Sequence, residues 1–87
     1  MDKIVFSKHS LEKIKILSKH RFRISKKTIV DIMKNPDKII CGYNGRKIAQ
    51  KITNKRYIIR VIFIEYLGFK RIITIYPAKR GRYDNQI

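Results

Sequence analysis

Residues 57–66, "YIIRVIFIEY", constrain the fold more than any other stretch of this chain. At a period of two, Tyr57, Ile59, Val61 and Phe63 share one side of a strand, and Ile58, Arg60, Ile62 and Ile64 share the other. Both sides are mostly apolar. A strand with one wet face alternates polar and apolar, so this one belongs inside a sheet, with neighbours on each edge. The rest of the chain must supply those neighbours and at least one covering layer.

The flanking sequence is suited to that task. Asn44-Gly45 is the strongest two-residue hairpin signal, set between Ile39–Tyr43 and a return strand Lys47–Thr53. Asn54-Lys55 predicts the next tight turn, Arg56–Tyr66 the long strand, and Leu67-Gly68 the turn into Phe69–Tyr76. Upstream, Asp2–Phe6 reads as a short first strand. Ser7 or Ser10 is placed to cap a helix to about Ser18, striped by Leu11, Ile14 and Leu17. Residues 19–23 lead to a second helix capped by Ser25, with Ile29, Ile32 and Met33 on one face, stopped at Asn35-Pro36. The order β-α-α-β-β-β-β predicts a two-layer α+β fold. Its last four strands form an antiparallel meander, and two helices pack on one face.

Eighty-seven residues are enough for one domain with one core, and a 44% hydrophobic share is enough to fill it. Cys41 stands alone, which rules out an internal disulfide and a thiolate cluster for zinc. With no signal-like apolar stretch at the start and no run near the roughly 18 apolar residues of a membrane span, the expected location is the cytoplasm, away from membranes. Charge is the other dominant feature. Twenty-two Lys and Arg against six Asp and Glu give +16. That imbalance points to a polyanionic partner, most simply nucleic acid, although an acidic protein would satisfy the same electrostatics.

The chain has no glycine-rich phosphate loop, no closely spaced acid pair and no Cys/His cluster, so neither a metal nor a cofactor is expected. RNA allows cleavage without one, because its 2′-hydroxyl can attack the adjacent phosphorus. Such a reaction needs a base, an acid and cations for the charge on phosphorus. His9, at the opening of the first helix, has the intrinsic proton affinity for acid or base work, or is a plain exposed histidine. His20 is a weaker candidate. Arg60 interrupts the apolar strand, and burial obliges it to meet a phosphate or a carboxylate such as Glu65. Glu65 itself reads as a general base or as ordinary surface. The ending "TIYPAKRGRY" carries Tyr76, Lys79, Arg80, Arg82 and Tyr83. Arginine suits bidentate phosphate contact, lysine acts as a point charge, and tyrosine can stack a base or donate its proton. The catalytic candidates are therefore His9, Arg60, Tyr76 and Lys79, with Arg71, Arg80, Arg82 and Tyr83 as RNA-binding candidates.

The segments "FSKHSLEKI", "ISKKTIVDIMKNPDKII", "GRKIAQKI", "YIIRVIFIEY" and "IITIYPAKRGRY" together resemble small prokaryotic proteins close to the BrnT toxins. Those are similar in turn to the RelE/ParE superfamily of toxin–antitoxin systems. The resemblance covers nearly the whole chain. It implies a RelE-like antiparallel sheet and an mRNA endoribonuclease, free or ribosome-dependent, neutralised by a cognate antitoxin. Position by position it matches Phe6 and His9 at the start, Arg60 in the strand, and Thr74, Lys79, Arg82 and Tyr83 at the end. The family pattern has an arginine four residues after the histidine, where this chain has Lys13. Two rival readings use the same basic face: a non-catalytic nucleic-acid-binding protein, and an inactive toxin-fold interaction module that binds an acidic partner.

Overall fold

The computed structural model describes residues 3–20, 24–53 and 56–79. The elements run β1 (Lys3–Phe6), α1 (Lys8–Lys19), α2 (Lys26–Lys34), β2 (Lys38–Cys41), β3 (Arg46–Ile52), β4 (Tyr57–Tyr66) and β5 (Phe69–Lys79). The predicted Asn54-Lys55 turn and the candidates Arg80, Arg82 and Tyr83 lie outside the described residues.

Five strands form one sheet in the order β1-β5-β4-β3-β2, so β4 lies at its centre as its two-sided apolar pattern requires. β2 to β5 make an antiparallel meander, strand beside consecutive strand. The expectation of an antiparallel sheet needs correction at one edge. β1 runs parallel to β5, with Lys3 opposite Phe69 and Phe6 opposite Ile72, so the sheet is mixed. Strands joined by a tight turn must run antiparallel. β1 is joined to β5 by no such turn, so nothing local fixes its direction.

Two hairpins set the registers. Asn44 and Gly45 have φ of 55° and 74°, and the Arg46 amide donates to the Tyr43 carbonyl at 3.0 Å. Positive φ at both central residues is the type I′ geometry that follows strand twist. Leu67 and Gly68 repeat it at 43° and 86°.

β5 continues through Pro77, opposite Ile59, to Lys79. The strand expected from the sequence ends at Tyr76, one residue before the proline, which cannot donate to a ladder. The ladder from β1 ends at Ile72, so among the described residues Pro77 has a strand partner on the β4 side only. Its missing N–H therefore falls at an open edge, where it also discourages pairing with a foreign strand.

Ser7 caps α1 by accepting from the Ser10 amide, and Ser25 caps α2 by accepting from the Thr28 amide. Leu17 of α1 and Ile29, Ile32 and Met33 of α2 pack on Ala49, Ile59, Val61, Phe63, Ile72 and Ile75. These sheet residues share one face, and full burial of each large side chain contributes about 1.5–3 kcal/mol. The other face carries Ile48, Gln50 and Ile52 of β3 beside Ile62, Arg60 and Ile58 of β4.

Leu67 is 93% exposed at positive φ, so it pays for left-handed backbone without packing in return. Leu67→Asn should therefore stabilise by about 0.5–1 kcal/mol, or roughly 2–8 °C in Tm, in a thermal melt. An unchanged or lower Tm would show that the side chain has a partner in solution.

Candidate functional site

The junction between β1 and α1 is tied to β5 by a compact set of hydrogen bonds. The Ser7 amide donates to the Ile72 carbonyl at 3.1 Å, and its hydroxyl donates to the Ile73 carbonyl at 3.1 Å. The same hydroxyl oxygen accepts from the Ser10 amide at 3.1 Å. Ser10, fully buried, donates its own hydroxyl to the Ser7 carbonyl at 2.7 Å. Three turns of helix are thus anchored at one point on β5.

That point is a β-bulge. Ile62 of β4 faces Thr74, whereas the next residue, Phe63, faces Ile72, so Ile73 is the extra residue of β5. A bulge bends its strand and re-aims the side chains around it. Here it turns Ile73 toward the start of α1, where a cleft of about 380 Å³ opens, lined by Ser7, Lys8, His9, Ile64, Arg71 and Ile73. Lys8, His9 and Arg71 are exposed around it, while Ile64 and Ile73 are half-buried. The first-turn amides of α1 lie at the same corner, and their partial positive charge adds to that of Lys8 and Arg71. The cleft therefore has a cationic rim and an aliphatic lining, with one imidazole at its edge.

The sequence-derived candidates do not converge on one point. His9 and Arg71 meet at the cleft. Arg60 lies four residues along β4 from Ile64, about 13 Å away at the usual strand rise. Its guanidinium carbon sits 5.6 Å from the centre of the Tyr76 ring, within cation–π range, and the two residues are opposite each other across β4 and β5. Lys79 faces Tyr57 at the far end of β5, eight residues and about 25 Å from Arg71. His20 is exposed beyond the end of α1.

Glu65 is not the partner of Arg60. Their spacing of five puts them on opposite faces of the sheet, and Glu65 forms an ion pair with Lys47. The hydrogen bond from Lys47 holds the Glu65 carboxyl below the usual carboxylate range, and the same bond raises the Lys47 ammonium. Both groups are well exposed, so the pair is a modest surface contact. Because the folded Glu65 value is depressed, its contribution is present above the ordinary glutamate range and fades as pH falls through it.

Two residues went unnoticed in the sequence. Lys8 is adjacent to His9 but looked like one cation among many. Gln50 lies opposite Arg60 in the ladder, is 4% exposed, and among the described residues its side-chain carbonyl oxygen accepts no hydrogen bond. No polar signal in "KIAQKI" marks that glutamine as buried. Among the described residues, no group of three or more His, Cys, Asp or Glu is placed to hold a metal ion. No described helix is long and apolar enough to cross a membrane. Compared with protein-family models, curated proteins and solved structures, the chain matches none.

Ser7→Ala removes the cap of α1 and its tie to Ile73 together. It should destabilise by about 1–2 kcal/mol in chemical denaturation and shift the His9 ring resonances. A stable variant with unmoved His9 signals would show that the junction is held by other contacts.

Proposed function

We propose that the protein is an RNA-directed cation scaffold whose cleft beside α1 is the reactive centre of a metal-independent endoribonuclease of the toxin type. The observation that carries this reading is the meeting of His9, Lys8 and Arg71 at one cleft, on a chain of net charge +16. His9 is the group there suited to move a proton near neutral pH. Arg71 and Lys8 are suited to the charge that develops on a phosphate as the ribose hydroxyl attacks.

Tyr76, half-buried on the same sheet face as Arg71, then belongs to the path of the RNA and not to the reacting bond, whereas Arg60 is buried beside it and Lys79, opposite Tyr57, lies on the helix-bearing face. From Arg71 to Tyr76, opposite Ile64 and Arg60, is about 13 Å along that face, a reach of more than one nucleotide. The BrnT-like resemblance shares His9 with this assignment, though not Lys8 or Arg71, and adds a cognate antitoxin as partner and ribosome-bound mRNA as a substrate form. The second reading, a binder that cuts nothing, draws on the cleft having a single imidazole where transesterification uses both a base and an acid.

Long single-stranded RNA incubated with the protein in EDTA should yield discrete fragments. His9→Ala should slow their formation by about 10²–10⁴-fold, and Arg71→Ala by about 10²-fold. Fragments that persist in His9→Ala would overturn the catalytic role of His9. Intact RNA that shifts in a gel would favour the binder, or cleavage only on the ribosome. In salt titrations of binding, Arg71→Ala should flatten the slope of log affinity against log salt by about 0.7, the share of one single-strand phosphate. An unchanged slope would place the backbone elsewhere.

A further inference from the structure

The lining of the cleft says what part of an RNA it can hold. Its volume of about 380 Å³ is at the lower end of the roughly 300–1,000 Å³ range of small-ligand sites. That is room for one nucleotide, not a base pair. Its walls divide by chemistry. Ile64 and Ile73 offer aliphatic surface, whereas Lys8 and Arg71 offer charge and His9 an imidazole at the rim.

The remaining polar group, the Ser7 hydroxyl, is already committed. It donates to the Ile73 carbonyl and accepts from the Ser10 amide. With that hydroxyl committed, the side chains left to meet a nucleotide are the cations of Lys8 and Arg71 and the imidazole of His9, and all three suit phosphate. Discrimination among bases needs hydrogen-bonding groups left unpaired by the wrong base; those in this lining, Lys8, His9 and Arg71, stand at the rim and suit the phosphate, the anionic part of every nucleotide alike.

We propose that the cleft is a base-indifferent site for one unpaired nucleotide. Its base lies on Ile64 and Ile73, and its phosphate is held by Lys8, His9 and Arg71. This deepens the nuclease reading and rests on it for the choice of RNA as the natural ligand. A duplex cannot deliver a base to the aliphatic wall without unstacking it, so single strands are selected by shape.

The test is calorimetric binding of the four nucleoside 3′-monophosphates and of ribose 5-phosphate, which carries the phosphate without the base. The four nucleotides should bind within about threefold of one another. Ribose 5-phosphate should bind about tenfold more weakly, the effect of burying roughly 55 Å² of apolar base surface. Ile64→Ser, checked for folding by circular dichroism, should bring the nucleotides down to the level of ribose 5-phosphate. A single-stranded RNA hexamer should bind more tightly than a hairpin stem of the same composition.

Equal binding of nucleotides and ribose 5-phosphate to the unaltered protein would reduce the cleft to an anion patch and overturn the proposal. So would a preference of tenfold or more for one base, or equal binding of hexamer and stem. The two readings fail separately. Nucleotide binding with no cleavage of RNA, free or on the ribosome, leaves this inference standing and removes the nuclease. RNA cleavage with no advantage of nucleotides over ribose 5-phosphate does the reverse.

Discussion

The hydroxyl of Ser7 joins three things that would otherwise be independent: the end of β1, the start of α1 and the bulge in β5. Each of its contacts is ordinary in strength, about 1 kcal/mol net. Their effect comes from their meeting at one atom. The cap fixes where α1 begins, and the bond to Ile73 fixes where that beginning sits on the sheet. The buried Ser10 then closes the turn from inside. A helix anchored only by its apolar stripe could slide or roll by a fraction of a turn. Anchored at Ser7 as well, it presents Lys8 and His9 to Arg71 at a set height.

The bulge provides the other half of that geometry. A regular ladder would keep strict alternation along all of β5. The extra residue at Ile73 instead places Thr74 and Tyr76 in step with Ile62 and Arg60 on one side of the bulge, and Arg71 in step with Ile64 on the other. Two separate groupings thereby form on the sheet face away from the core helices. One is a row across β3, β4 and β5 of buried Gln50, buried Arg60 and half-buried Tyr76. The other is Arg71 at the cleft. The row is held by packing and a cation–π contact, whereas the cleft is open and charged.

Local signals in the sequence carried much of this architecture. Asn44-Gly45 specifies its hairpin because both residues accept positive φ, and the apolar faces of β4 require a central position whatever surrounds it. Ser25 and Asn35-Pro36 bracket α2 because caps and proline act within one turn. The parallel pairing of β1 could not be read, since four residues contain no statement of direction and their partner lies 66 positions away. Nor could the bulge, which neither glycine nor proline marks at Ile73. Pro77 misled for a related reason: its effect depends on whether a neighbour occupies that edge, which is a property of the sheet. His9 was legible by residue type and Arg71 by charge. Their meeting was not, because it depends on the bulge and on Ser7.

The central claim is that the corner holding His9 is preformed, and amide hydrogen exchange tests it most directly. First-turn helix amides normally exchange fast, for want of intrahelical partners. If Ser7 binds Ile72 and caps Ser10 as described, the amides of Ser7 and Ser10 should exchange as slowly as those of the β1–β5 ladder. Exchange of both at near-unprotected rates, while the amides of Ile59 and Val61 stay protected, would show that α1 frays from the bulge. The cleft would then exist only when a ligand assembles it.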